Sequence, residues 1–153
     1  MDNSQQKTIL EYQSQLLAWN KTHNLVSKSQ IKLIPDHIED SLLIGKTLKD
    51  FIVDLGSGGG LPGIPLAIRY PNKHFCLVES NTKKSSFLLN TTSRLNLENT
   101  TVLNKRIEDI GSGRSTRRVR YCLQGSWSDR FNYIFHKKTP TTPRRQLEAN
   151  ENL

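Results

Sequence analysis

The chain is poor in the residue types that mark several protein classes. Its 153 residues include two cysteines and four histidines, which show no paired spacing. Disulfide frameworks and zinc sites need such pairs at short spacings, so the sequence predicts neither, and we expect no bound metal. No apolar run approaches the roughly 20 residues that cross a bilayer, and the first residues do not resemble a signal peptide. We expect a soluble, cytoplasmic, monomeric protein without membrane contact.

Hydrophobic residues are also scarce, at 35% of the chain, and we find them concentrated before residue 110. Charge changes at the same place. Residues 1–110 carry +2, from 13 Lys and Arg against 11 Asp and Glu, whereas residues 111–153 carry +6, from 9 against 3. A basic extension is typical of nucleic-acid binding. A simultaneous switch from lysine to arginine fits a foreign reading frame or a recombined end equally well, so both interpretations stay open.

One short stretch, residues 51–63, organises the chain. Residues 51–55 are an apolar run of the kind found in strands that are buried on both faces, and Asp54 is its one charged residue. Four glycines follow within residues 56–60, where the backbone can take left-handed angles and approach a ligand closely. Pro62 favours the first turn of a helix. A strand, a glycine turn and a helix in this order predict a ligand site at the carboxyl end of the strand.

Helical and strand-like patterns alternate along the first 110 residues. Apolar residues at three- and four-residue steps predict helices, and short apolar runs predict strands. Leu43 is expected on the apolar side of the second helix. The alternation predicts an α/β fold with a parallel, doubly wound sheet preceded by N-terminal helices. The predicted helices are 5–22, 36–48 and 82–95, and the predicted strands are 51–55, 75–79 and 101–103.

The periodicity stops after residue 110. Residues 111–118 and 139–145 have the composition of loops or disordered segments, and Phe131–Phe135 is the one candidate strand. We therefore divide the chain into three parts. These are a helical segment (1–50), a ligand-binding half-domain (51–110) and a basic, mostly irregular tail (111–153).

An acidic residue also ends the second predicted strand. Glu79 can accept hydrogen bonds from both ribose hydroxyls of a nucleoside that lies across the strand ends. Residues 58–63 match the Gly-x-Gly-x-x-Gly pattern of NAD sites, but this match begins too far along the chain, because Gly56 and Gly58 already follow the strand. Asp54 before the glycines is more typical of S-adenosylmethionine (AdoMet) sites. We favour AdoMet over NAD, with a glycine turn that binds no ligand as a third alternative. Asp54, Gly56, Ser57, Gly58 and Glu79 are the predicted cofactor residues.

Four segments of the chain resemble the RsmG (GidB) family, whose members methylate guanine N7 in bacterial small-subunit ribosomal RNA. The resemblance runs from about residue 10 to residue 110, and its Gly-Leu-Pro-Gly-Ile-Pro segment is far more specific than a generic glycine motif. The segments are Leu17-x-Trp19-Asn20-Lys21-x-x-Asn24-Leu25, His37-x-x-Asp40-Ser41-Leu42, Asp54-x-Gly56-Ser57-Gly58-x-Gly60-Leu61-Pro62-Gly63-Ile64-Pro65-Leu66 and Glu79-Ser80-x-x-Lys83-Lys84-x-x-Phe87-Leu88.

This resemblance implies a Rossmann-like, AdoMet-dependent methyltransferase fold. It implies that Gly56 and Leu61 contact the cofactor from the glycine loop and that Glu79 is the ribose acid. Ile107 and Glu108 are similar to the family segment that lies against adenine. The implied partner is small-subunit ribosomal RNA or the small ribosomal subunit. Guanine N7 carries an unprotonated lone pair at neutral pH, so we nominate no catalytic acid or base.

Five further residues are candidates for RNA contact, and each has a structural alternative. Lys83 and Lys84 could meet phosphates, or could be a solvated basic pair at a helix start. Asn20 and Asn24 could reach the substrate, or could cap the local backbone. His37 is a candidate contact that fits a structural histidine better.

The chain departs from the family after residue 110. The family continues with Phe-Asp-x-x-x-x-Arg-Ala on a fourth strand and then further strands, whereas this chain offers Phe131–Phe135 about fifteen residues late. We expect a fold that is incomplete at its C-terminus, in which Phe131–Phe135 could cover the outer side of the first strand with one strand at most. Weak methylation and marginal stability would follow. The alternatives to an active methyltransferase are an NAD-binding oxidoreductase and a non-catalytic RNA-binding remnant.

Overall fold

A computed structural model describes residues 1–44, 48–106 and 131–135, the last of these as backbone alone. Within these ranges no helix has the length and apolar character needed to cross a bilayer. A 3₁₀ helix at Lys28–Leu33 joins the first two α-helices. The α-helices are α1 (Asn3–His23), α2 (Ile34–Ile44), α3 (Gly63–Arg69) and α4 (Thr82–Arg94), and the strands are β1 (Phe51–Leu55), β2 (His74–Val78), β3 (Thr100–Leu103) and β4 (Phe131–Phe135).

The four strands form one parallel sheet in the order β3-β2-β1-β4. Four of the five residues in each of β1 and β2 are buried. Strands buried on both faces read as continuous apolar runs, which is why the sequence showed them clearly. The parallel α/β sheet preceded by helices is confirmed.

The candidate strand at Phe131–Phe135 is present as β4. It pairs with β1 along its whole length, from Phe51 opposite Phe131 to Leu55 opposite Phe135. The backbone of β1 therefore has strand partners on both sides, β2 and β4. The remainder of the predicted tail lies outside the described residues.

Helix α1 has a capping box at its start and a left-handed residue at its end. The Asp2 side chain accepts a hydrogen bond from the Gln5 backbone N–H at 2.8 Å, and the Gln5 side chain accepts one from the Asp2 N–H at 3.4 Å. Asn24 follows the last turn with φ of 48°. The buried face of α1 carries residues at three- and four-residue steps, as predicted: Ile9, Tyr12, Leu16 and Asn20.

Helix α2 differs from its prediction. It begins two residues earlier, at Ile34, so Pro35 occupies the first turn, where its missing N–H is tolerated. Ile34, Ile38 and Ser41 are buried, whereas Leu43 is 73% exposed. The prediction for Leu43 is wrong because successive residues turn by about 100° and residue 43 lies away from the Ile34–Ile38 stripe.

The amino ends of the strands are held by side chains that bind main-chain carbonyls. Asn99 Nδ2 donates to the carbonyls of Ala67 (3.0 Å), Tyr70 (3.2 Å) and Lys73 (3.0 Å). Gln5 Nε2 donates to the last carbonyls of α3, those of Ile68 (3.1 Å) and Arg69 (3.2 Å). Most of these bonds satisfy carbonyls that the end of α3 leaves without an intrahelical partner, and the bond to Lys73 fixes the loop before β2.

Gly63→Ala should destabilise the fold. An added Cβ would lie 2.4 Å from Leu77 Cδ2 and 2.6 Å from Asp54 Oδ2, and both of those side chains are fully buried. We expect the free energy of unfolding to fall by about 1 to 3 kcal/mol, measured by urea denaturation. Gly59→Ala is the comparison, because its Cβ would meet its nearest atom, Leu16 Cδ1, at 3.0 Å. A larger loss in Gly59→Ala than in Gly63→Ala would contradict this reading of the packing.

Candidate functional site

The carboxyl ends of β1 and β2 carry the candidate site, centred on the glycine turn (residues 56–60). Three of its glycines have left-handed backbone angles: Gly56 at φ 79°, Gly58 at φ 55° and Gly60 at φ 87°. Residues with a Cβ rarely adopt these angles, so the shape of the turn requires glycine there. Gly56 is exposed and Gly58 is half-buried, so the turn presents bare backbone at the surface.

The end of β2 holds the glycine turn in place. The Val78 carbonyl accepts the N–H groups of Gly56 (2.8 Å) and Ser57 (3.0 Å). The Ser57 hydroxyl donates to the Asp54 carbonyl at 3.0 Å, and the Gly60 N–H donates to the Ser57 carbonyl at 2.7 Å. Several amides of the turn are therefore used inside the protein. What the turn offers a ligand is close approach at Gly56.

Glu79 follows β2 directly and faces the glycine turn. Its Oε2 accepts the Gly58 N–H at 2.9 Å, and its Oε1 accepts the Asn81 N–H at 2.8 Å. These two bonds fix the side chain beside the turn. Glu79 is also largely buried there, with 7% of its surface exposed. A carboxylate has about four acceptor positions, so each oxygen can still take a further hydrogen bond. This arrangement suits a pair of ribose hydroxyls.

Asp54 lies elsewhere, under the turn. It is fully buried in β1, and its Oδ2 is 2.6 Å from the position that a Cβ on Gly63 would occupy. The carboxyl group thus points toward the start of α3, while the exposed backbone at Gly56 is on the outside of the turn. Asp54 as a direct cofactor contact remains a prediction.

The strand order places the site at a reversal point. The chain passes from β1 to β2 to β3 in one direction across the sheet and resumes in β4 on the other side of β1. Ligands of open α/β sheets bind outside the carboxyl ends of the strands at such a reversal. The glycine turn follows β1 and so lies beside this point.

The remaining predicted cofactor residues are placed in part. Leu61 is half-buried directly after the turn, and Ser57 is buried within it. Ile107 and Glu108 lie outside the described residues. Within the described ranges no cluster of His, Cys, Asp and Glu could hold a metal ion.

The candidate RNA contacts have local structural partners. Asn20 Oδ1 accepts the Val26 N–H at 2.7 Å, and Asn24 is the left-handed residue that ends α1. His37 Nε2 forms a hydrogen bond with Gln30 Oε1. Lys83 is exposed and Lys84 is half-buried in the first turn of α4. RNA contact by all five remains a prediction.

Three residues of the site escaped the sequence analysis. Asn81 caps α4, and its side chain accepts the N–H groups of residues 83 and 84; an asparagine directly before a predicted helix is a signal that could have shown it. Asn104 follows β3 and donates from Nδ2 to the carbonyls of Glu79 (2.9 Å) and Ser80 (3.1 Å). Tyr12 donates its hydroxyl to the Gly59 carbonyl at 2.7 Å, and no local pattern marked it.

A family model matches most of the chain. The model described as rRNA small subunit methyltransferase G (GidB) matches residues 5–120. The chain belongs to this family. Relatives named Ribosomal RNA small subunit methyltransferase G include proteins from Helicobacter hepaticus (46% identical, 63% of this chain and 53% of that protein), Coxiella burnetii strain RSA 331 (43%, 71% and 54%) and Francisella tularensis strain WY96-3418 (45%, 66% and 50%).

The chain thus spans about half the length of the methyltransferase G relatives that it matches. The RsmG resemblance is confirmed, and the NAD oxidoreductase and non-catalytic alternatives find no support in these comparisons. The chain is also similar to a solved structure, a Precorrin-6y C5,15-methyltransferase from Geobacter metallireducens GS-15. The match covers 55% of this chain and 42% of that protein, with a TM-score of 0.42 and 18% identity.

Stability at alkaline pH should depend on Tyr12. Burial, and then the negative charge of Asp54, raise the pKa of the Tyr12 hydroxyl well above its ordinary value of 10.0. Above pH 10 the unfolded chain loses this proton while the folded chain keeps it, so the stabilisation is complete below pH 10 and falls as pH rises. Each such group contributes a slope of up to about 1.4 kcal/mol per pH unit.

The measurement is the free energy of unfolding of the parent and of Tyr12→Phe between pH 9 and 11. The parent should lose stability more steeply than Tyr12→Phe above pH 10, and the two profiles should run parallel below it. Parallel profiles over the whole range would show that Tyr12 ionises equally readily in the folded and unfolded states.

Proposed function

We propose that the chain binds AdoMet at the carboxyl ends of β1 and β2 and, as an RsmG-family protein, methylates guanine N7 in small-subunit ribosomal RNA. The observation that carries the cofactor site is the Glu79 carboxylate, fixed beside the glycine turn by the Gly58 and Asn81 N–H groups. Family membership supports the choice of AdoMet over NAD as the nucleoside bound there.

The residues of the turn fit the nucleoside part of AdoMet. Glu79 has acceptor capacity left on both oxygens for the ribose hydroxyls. Exposed Gly56, with no Cβ, lets the cofactor lie directly on the backbone, and half-buried Leu61 follows within one residue of the turn. Ile107 and Glu108 are proposed for the adenine side on the strength of the family resemblance.

The chemistry asks little of the protein in proton transfer. AdoMet supplies an electrophilic methyl group on a sulfonium. Guanine N7 is a free lone pair at neutral pH, so no side chain needs to remove a proton from it. The protein contributes by aligning the two reactants and excluding water, and such alignment supplies roughly 7 to 11 kcal/mol in well-oriented reactions. No catalytic acid or base is assigned.

The proposed substrate is small-subunit ribosomal RNA or the small ribosomal subunit. The protein would bind it as a monomer in the cytoplasm. Lys83 and Lys84 support RNA contact because they project from the first turn of α4, which starts three residues after Glu79. Their charges are therefore close in sequence to the proposed cofactor site. Phosphate contacts of this kind position an RNA without reading its sequence.

Glu79→Ala and Gly56→Val should each weaken AdoMet binding in calorimetry. Removal of Glu79 leaves the ribose hydroxyls without a charged acceptor, and such hydrogen bonds contribute roughly 1.5 to 3 kcal/mol, or about 10- to 100-fold in affinity. Valine at position 56 must adopt φ of 79° and also obstructs the exposed backbone.

The matched control is Glu98→Ala, which removes an exposed glutamate from the loop before β3, at the amino ends of the strands. It should bind AdoMet like the parent. Parental affinity in both Glu79→Ala and Gly56→Val would remove the site assignment. Binding of NADH but not AdoMet by the parent would replace the methyltransferase proposal with an oxidoreductase, and absence of methyl transfer to unmodified small subunits would favour a non-catalytic role.

Lys83→Ala/Lys84→Ala should reduce RNA affinity in a salt-dependent way. The slope of log K against log salt is negative, and each phosphate contact that is lost makes it shallower by about 0.7 to 0.9. The control is Lys7→Ala/Arg94→Ala, which removes the same charge from two exposed positions, one of them at the far end of α4, roughly 16 Å along the helix from Lys83. Equal slopes for the two double variants would show that Lys83 and Lys84 are ordinary solvated residues.

A further inference from the structure

The N-terminal helix α1 packs directly on the glycine turn. Tyr12 and Leu16 lie one helical turn apart on its buried face, and both are fully buried. The Tyr12 hydroxyl donates to the Gly59 carbonyl at 2.7 Å. A Cβ on Gly59 would lie 3.0 Å from Leu16 Cδ1 and 3.4 Å from Val26 Cγ2. The helix and the segment after it therefore pack closely against the turn at Gly59.

The bond at Gly59 fixes a part of the turn that the sheet does not reach. The bonds from the sheet side hold the N–H groups of Gly56 and Ser57 through Val78, and that of Gly58 through Glu79. Gly59 lies between two left-handed glycines, where the chain has the greatest conformational freedom. Tyr12, from α1, holds the Gly59 carbonyl.

The last turn of α1 contributes to the same packing. Asn20 Oδ1 accepts the Val26 N–H at 2.7 Å, which turns the chain back after the helix. The Val26 side chain is then within van der Waals distance of the Gly59 position. Asn20 thus holds Val26 near Gly59, whereas Tyr12 bonds to the turn directly.

We propose that Tyr12 is a positioning residue for AdoMet, whose hydroxyl holds the Gly59 carbonyl and so keeps the glycine turn in the shape that receives the cofactor. This inference rests on the proposed AdoMet site. Helix α1 is then part of the scaffold of the cofactor site as well as part of the core. Tyr12 itself is buried behind the turn and acts through the backbone.

The test compares the parent chain, Tyr12→Phe and Thr92→Val. Tyr12→Phe keeps the ring and removes the hydroxyl. Thr92→Val removes another buried hydroxyl, which donates to the Leu88 carbonyl at 2.9 Å inside α4. Two readouts are measured in each protein: AdoMet affinity by calorimetry, and hydrogen exchange of the Gly58 and Gly60 amides by NMR, with the amides of β2 as an internal reference.

Tyr12→Phe should exchange the Gly58 and Gly60 amides about 3- to 10-fold faster than the parent, with β2 unchanged, and bind AdoMet about 3- to 10-fold more weakly. Thr92→Val should match the parent at the turn and in affinity. Parental exchange at the turn in Tyr12→Phe would overturn the proposal, as would equal acceleration in β2, which marks a general loss of stability. Faster turn exchange with unchanged AdoMet affinity would overturn the positioning role.

The same data separate this inference from the proposed function. If the parent itself does not bind AdoMet, the proposed function fails, and with it the cofactor role of Tyr12. Faster exchange at the turn in Tyr12→Phe would then still establish the contact between α1 and the turn as a conformational restraint.

Discussion

The candidate site depends on the hydrogen bonds that the Val78 carbonyl accepts from the glycine turn. This carbonyl accepts two successive N–H groups, those of Gly56 and Ser57, just beyond the point where Leu55 and Val78 end their paired strands. The backbone can turn there because β1 and β2 are parallel and stop at the same level. The turn is therefore shaped on the end of its neighbouring strand, and it keeps this shape only when the two strands are paired.

The two acidic residues at these strand ends look alike in the sequence and have different positions in the structure. Asp54 pairs in register with Leu77, and Leu55 with Val78, so Glu79 is level with the first residue of the turn. Glu79 thus projects beyond the sheet, whereas Asp54 is still inside it. An offset of two residues along parallel strands moves a carboxylate by about 7 Å, which separates Asp54 inside the sheet from Glu79 beside the glycine turn.

Much of the fold was predictable because its signals are local. The apolar runs of β1 and β2, the glycines after β1 and the periodicity of α1 and α4 all lie within short windows, and each element occurs close to its predicted range. The bond between Tyr12 and Gly59 joins residues 47 apart in the chain, and its tyrosine sits in an ordinary apolar helical stripe. No local pattern shows that one member of that stripe carries a hydrogen bond to the site. The side of α2 was mispredicted at Leu43 for a related reason, since an apolar residue near the end of a short helix fits either face.

The amino and carboxyl ends of the strands are held by different kinds of contact. At the amino ends, Asn99 and Gln5 bind carbonyls at the end of α3 and before β2, and none of the proposed cofactor residues takes part. At the carboxyl ends, the groups that hold the backbone, the Val78 carbonyl and the Glu79 carboxylate, are themselves part of the candidate site. Substitutions at Asn99 are therefore expected to lower the stability of the fold without altering a residue of the candidate site. Gln5 differs, because its helix α1 also packs on the glycine turn, so only part of the stability of this domain can change independently of the candidate site.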